Sequence, residues 1–186
     1  PKLQATVAFT PATGPRLLAA GGDIEAQHAA ATAIQETTLQ STLSSAHLTF
    51  LPETEANLLG EHGYLRRTDQ QFHFFNRDYR DYSDFLDSLA SRKRKALRKE
   101  REAALANGIT IHRLTGAELT ETVWDQFFAF YMDTGGRKWG RPYLTREFFS
   151  RVGETMADEI LLVMAMRNGR YIAGAINFIG GERIYG

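Results

Sequence analysis

Cysteine is missing altogether from the 186 residues. That absence removes disulfides, thiolate nucleophiles and zinc–cysteine sites from consideration. No excess of either charge exists: 22 Lys and Arg stand against 22 Asp and Glu. Bulk attraction to nucleic acid or membrane therefore does not follow, and any electrostatic function has to come from local clusters. No apolar run approaches the ~20 residues needed to span a bilayer. The amino-terminal segment has no basic-then-apolar pattern of the signal-peptide kind. Together these absences lead to the expectation of a cytoplasmic chain without a membrane span. The chain opens on Pro1 and stops at Tyr185-Gly186, directly after a strand-like run. A strand cut there leaves edge groups unpaired, so the expectation is a fragment of a longer protein.

What is present suffices for a folded core: 43% of the residues are hydrophobic and 24% charged, an ordinary balance for a globular chain. Residues Leu3 to Phe9 alternate loosely and predict a strand. A turn-rich loop follows. Asp23, after Gly21-Gly22, is placed to cap a helix running from Ile24 to about Leu43. Ala46 to Leu51 predicts a second strand ended by Pro52, and Glu53 to Gly60 a short helix. Tyr64 to Phe75, with Phe72 and Phe74 alternating against Gln71 and His73, predicts one or two further strands.

A long amphipathic helix is expected next, capped by Asp81 or Ser83, with Tyr82, Phe85, Leu86, Leu89, Ala96, Leu97 and Ala104 on one stripe and Asn107-Gly108 as its end. Ile109 to Leu114 predicts a strand. Ala117 to about Met132 predicts a helix, and Thr145 to Ala157 another. The last thirty residues are the clearest. Ile160 to Met166 is a β run, Asn168-Gly169 is the strongest short hairpin signal, and Tyr171 to Ile179 is its partner. Gly180-Gly181 then turns the chain into Arg183-Ile184-Tyr185. The fold class expected is α/β with a mixed sheet.

Four runs carry a family resemblance: Phe9-Thr10-Pro11-Ala12-Thr13-Gly14-Pro15-Arg16-Leu17-Leu18, Ser91-Arg92-Lys93-Arg94-Lys95, Trp139-Gly140-Arg141-Pro142-Tyr143-Leu144-Thr145, and Ile172-Ala173-Gly174-Ala175-Ile176-Asn177-Phe178-Ile179-Gly180-Gly181. In this order they resemble the FemAB-like N-acyltransferases of the GNAT superfamily, proteins often described as peptidoglycan-related. The resemblance implies tandem GNAT-like units. Residues 1–80 would be the C-terminal half of the first and 81–108 a connecting basic helix. Residues 109–186 would be the N-terminal half of the second. It implies acyl or aminoacyl transfer to an amine, possible acceptors including a cell-wall precursor. The implied donor is an acyl-CoA or an aminoacyl-tRNA, without a metal. The alternative is a non-catalytic GNAT-like module that binds RNA or a nucleotide-linked precursor.

The candidate residues each have two readings. Thr13, Gly14 and Arg16 lie where the resemblance puts a pyrophosphate turn. Such a turn needs free backbone N–H groups at a helix start, and Pro15 removes one of them, so a purely structural turn competes. The basic run around Arg94 and Arg98, one helical turn apart, suits an anionic substrate or a solvated face arranged along its helix dipole. The loop with Trp139, Arg141 and Tyr143 joins two helices, a common place for substrate contacts; Trp139 as a core anchor is the competing reading. Tyr185 and Asn177 sit on strands that the resemblance places along the transfer cleft, where a hydroxyl protonates a leaving group and an amide orients an amine. Buried, satisfied polar groups are equally ordinary there. His73 reads as a structural hydrogen-bonder, and the other four histidines have no metal-ligand spacing.

Overall fold

The structure, a computed structural model, describes residues 1–7, 12–137 and 142–186. The chain divides into two compact units, Pro1–Phe74 and Phe75–Gly186.

In the first unit, β1 (Lys2–Ala5) pairs in parallel with β2 (Ser45–Leu48), with Lys2 opposite Ser45 and Ala5 opposite Leu48. Parallel neighbours need a long crossover, and α1 (Ile24–Gln40) supplies it. Its start lies where the sequence placed it: Asp23 Oδ1 accepts from the backbone N–H of Glu25 at 2.9 Å and Ala26 at 3.2 Å. Two orphan donors of the first turn are thereby satisfied. After Pro52 the chain forms α2 (Glu53–Glu61). A small core of Leu17, Ala31, Leu58 and Leu59 lies beneath these elements, with Ile34, Leu48, Leu51 and Tyr64 packed on it.

The strands expected between Tyr64 and Phe75 do not form, and residues 64–77 hold no regular element. Leu65 is 95% exposed and Phe72 88%. Alternation describes a strand only if a neighbour accepts its ladder of hydrogen bonds, and neither described strand of this unit extends to do so.

The second unit opens with a correction. The long helix expected from Asp81 to Ala106 is two helices, α3 (Tyr82–Asp87) and α4 (Ser91–Ala104), broken at Ser88 to Ala90. Ser88 Oγ donates to the Phe85 carbonyl at 2.7 Å and Ala90 takes an extended ψ of 141°. Serine hydroxyls compete with the helical ladder in this way. The apolar stripe also lapses between Leu89 and Ala96, so no packing opposes the break.

The strands of the rest of the unit follow the sequence closely. The helix expected from Ala117 to about Met132 lies four residues later, because Gly116–Glu118 forms a 3-10 turn and Thr120 supplies the cap. The strands β3 (Ile109–Leu114), β4 (Ile160–Arg167), β5 (Arg170–Gly180) and β6 (Arg183–Tyr185) form one antiparallel meander in chain order. Asn168 and Gly169 both have positive φ, 53° and 72°, as a tight two-residue hairpin turn requires. Between β3 and β4 run α5 (Glu121–Gly136) and α6 (Arg146–Thr155). Thr120 caps α5 by accepting from Val123 N–H. Trp124, Phe127 and Phe149 from the two helices pack with Leu114, Ile160, Leu162 and Met164 into the larger core.

The aromatic layer lies against the sheet closely enough that Gly174 has no room for a side chain. A Cβ there would sit 2.6 Å from Met164 Sδ and 2.9 Å from Phe127 Cδ2. Gly174→Ala is therefore expected to destabilise the protein by about 1–3 kcal/mol through overpacking. Equilibrium denaturation checks this, and a stabilised Gly174→Ala protein would show that the layer is looser than described.

Candidate functional site

The loop before α1 is held together by its own charges. Arg16 lies on it, and its guanidinium donates to the carbonyls of Ala12 (2.7 Å), Gly14 (2.8 Å), Pro15 (3.1 Å) and Thr49 (3.1 Å). Glu55, on the first turn of α2 and only 4% exposed, accepts from the backbone N–H of Arg16 at 2.8 Å and of Leu17 at 3.3 Å. Gly14 N–H donates to the Phe50 carbonyl at 3.0 Å, and Pro15 has no N–H to offer. Four consecutive backbone donors, residues 14 to 17, are thus occupied or absent. A carboxylate stands where a phosphate would need to approach. Thr13, Gly14 and Arg16 accordingly sit in a turn whose hydrogen bonds are met from within the unit. Nothing in the sequence singled out Glu55, because a glutamate on the first turn of a helix is ordinary.

The basic helix divides into an inner and an outer set. Arg94 Nη1 meets Asp87 Oδ1 at 3.1 Å and its Nη2 donates to the Leu89 carbonyl at 3.2 Å. Arg98 approaches the same carboxylate at 3.9 Å. Arg101 stacks over the Tyr82 ring, 4.5 Å from its centroid. These three arginines tie α4 back to α3. By contrast, Arg92, Lys93, Lys95 and Lys99 have no ion pair among the described residues.

The break also reverses the dipole reading. Arg92, Lys93 and Arg94 occupy the first turn of α4, which has no acidic residue and whose N-cap, Ala90, makes no side-chain bond. Cations at that end oppose the helix dipole.

Between α5 and α6, the described residues Arg137, Pro142 and Leu144 each contact α5. Arg137 pairs with Asp133 on the last turn of α5. Leu144 N–H donates to the Tyr131 hydroxyl at 3.0 Å. Pro142 lies against Gly135 so closely that a side chain there would collide with it. Trp139 and Arg141 lie outside the described residues, while Tyr143 is largely exposed.

At the start of α6, Arg146 bonds Asp125 Oδ1 at 2.7 Å, Glu121 Oε2 at 2.8 Å and Ser150 Oγ at 2.8 Å. Burial pulls the Arg146 pKa down, and the hydrogen bonds from its guanidinium to Asp125 and Glu121 outweigh that and hold it above its ordinary value. This clamp of α5 on α6 was not legible as a pattern, since its members lie 21 and 25 residues apart.

The sheet does not bring Asn177 and Tyr185 together. Tyr185 stands opposite Phe178 in the β5–β6 register, so its side chain shares the face that carries the core. Asn177, one residue earlier on β5, points to the other face. There its Nδ2 donates to the Leu161 carbonyl at 3.1 Å. The Tyr185 ring rests beside Gly180 at the edge of the sheet. Its hydroxyl has no hydrogen-bond partner among the described residues. His73 bonds Gln71 at 3.2 Å, and no group of three potential metal ligands exists among the described residues. No helix among them is long and apolar enough to cross a membrane.

A parallel strand pair crossed by a helix, together with an antiparallel meander covered on one face by two helices, makes this a mixed α/β chain. It belongs to the FemAB-like family, described as peptidoglycan biosynthesis/recognition, and the match runs over residues 1–186. No curated protein matches the chain.

Two outcomes check this geometry. Glu55→Ala strips the partner from two backbone donors and is expected to cost about 1–3 kcal/mol; an unchanged melting temperature would mean that the loop does not depend on it. Ala90→Asp supplies the missing cap and an anion at the start of α4. It should stabilise the protein by about 0.5–2 kcal/mol, whereas a lower melting temperature would show that α4 does not begin there.

Proposed function

We propose that this chain is part of an N-acyltransferase acting on an amine of a cell-wall precursor. The observation that carries the reading is the family match along the whole chain. The order strand, helix, helix, meander in residues 109–186, like the front half of a GNAT unit, supports it.

In the proposed reaction the amine nitrogen attacks the carbonyl carbon of an activated acyl donor, an acyl-CoA thioester or an aminoacyl-tRNA ester. A C–N bond forms, the C–S or C–O bond breaks, the nitrogen loses a proton and the leaving sulfur or oxygen gains one. Tyr185, with its hydroxyl uncommitted, is assigned as the proton donor to the leaving group. Asn177 lies on the opposite face with its amide bound to Leu161, and the reading gives it no part beside Tyr185. With the turn at Thr13, Gly14 and Arg16 closed by Glu55, the donor is assigned to the second unit of the tandem pair. Trp139, Arg141 and Tyr143, between α5 and α6, are assigned to the acceptor.

The test is transfer by the full-length protein, followed by mass spectrometry of the acylated amine. Arg141→Ala is expected to lower kcat/KM at least ~10-fold with no change in melting temperature, the effect of losing one charge-assisted contact. Tyr185→Phe is expected to lower kcat by about 10²–10⁴-fold with KM retained. Full activity in either variant would remove that residue from the site.

A further inference from the structure

The first half of α4 breaks several rules of helix stability at once. Ala90 leaves its N-terminus without a side-chain cap, and the first turn holds three cations and no anion. Along the outer face, Arg92, Lys95 and Lys99 follow one another at intervals of three and four residues, which stacks like charges on one side of the helix. Lys93 lies on the flank of that stripe. None of the four has an ion pair among the described residues. The arginines that do have partners, Arg94 and Arg98, face Asp87. The whole chain has no net charge, so this concentration is local. Sequences depart from local consistency mostly where function requires it.

We propose that the outer face of α4 docks on an anionic phospholipid surface through Arg92, Lys93, Lys95 and Lys99. Three features favour a lipid surface over a nucleic-acid strand. The stripe holds no aromatic side chain on which a base could stack. Three of its four cations are lysines, point charges without the planar fork that grips a phosphate from two sides. And Arg92, Lys93, Lys95 and Lys99 are all exposed along one helix, so that a flat anionic surface can meet them together. That side has no large apolar side chain, only Ala96 and Ala103, with Glu100 and Glu102 at its borders. Docking is therefore electrostatic, without insertion, and weakens with salt.

The test is co-sedimentation of the full-length protein with vesicles of phosphatidylglycerol and phosphatidylcholine in equal parts, against pure phosphatidylcholine vesicles. At about 0.1 M salt the protein is expected to bind the anionic vesicles and not the zwitterionic ones, and to release at about 0.5 M. The variant R92Q/K93Q/K95Q/K99Q should bind them on the order of 100-fold more weakly. Its melting temperature should equal or exceed that of the parent, since like-charge repulsion is removed. Should the fourfold variant fail to fold, Lys99→Glu alone should still weaken binding several-fold. Absence of binding to anionic vesicles, equal binding to both, or a variant that binds like the parent would overturn the proposal. So would displacement of the protein from the vesicles by a comparable charge concentration of tRNA, which would assign this face of α4 to nucleic acid.

Discussion

The second unit depends on one packing constraint: two helices bury their aromatic side chains on a single face of a four-stranded meander. Trp124 and Phe149 are almost entirely removed from solvent, and they meet Phe127 with ring centroids 5.5 to 6.3 Å apart. Burying side chains of this size contributes about 1.5–3 kcal/mol each. That contribution requires Gly174 and Gly153 as bare backbone where Phe127 and Trp124 press closest. With one face taken by the core, the register decides every other position. Tyr185 follows Phe178 toward the helices, and Asn177 is turned away.

The first unit solves a different problem with charge. Its loop must turn sharply into α1, and a turn leaves backbone groups without partners. Arg16 closes the carbonyl side and Glu55 the N–H side, so the two side chains together complete what a longer strand or helix would do by itself. The same arrangement that stabilises the turn engages the backbone donors that an outside anion would need. Structure and function are thereby linked through one accounting of hydrogen bonds: a phosphate site needs unfilled donors, and here they are filled.

Much of the second unit was legible in the sequence. Its strands fell within a residue or two of their observed bounds, because Asn168-Gly169 sets a hairpin register and the alternation around it has a buried face to satisfy. The capping residue Asp23 was legible for the same local reason. What could not be read depends on partners distant in sequence. The Tyr64 to Phe75 stretch has the alternation of a strand and lacks the neighbour. The break at Ser88 to Ala90 follows from an apolar stripe that pauses for one turn, which an overall helical period conceals. Glu55 and the Arg146 clamp act across 38 to 39 and 21 to 25 residues, beyond any local pattern. For the candidate residues Tyr185 and Asn177 the strands were legible in the sequence, but only the register shows that the two face apart.

The proposed transfer depends on an acyl donor held by the second unit of the tandem pair. The most direct measurement is calorimetry of the full-length protein with acetyl-CoA, longer acyl-CoAs and a non-hydrolysable aminoacyl-tRNA analogue, repeated on Glu55→Ala and Tyr185→Phe. The account predicts saturable binding of one donor class at one site per chain, with an affinity that Glu55→Ala leaves unchanged. At a hundredfold excess over Kd that donor should also stabilise the fold by about 2.7 kcal/mol. Binding of no donor, or donor affinity that depends on the Thr13 to Leu17 loop, would contradict it.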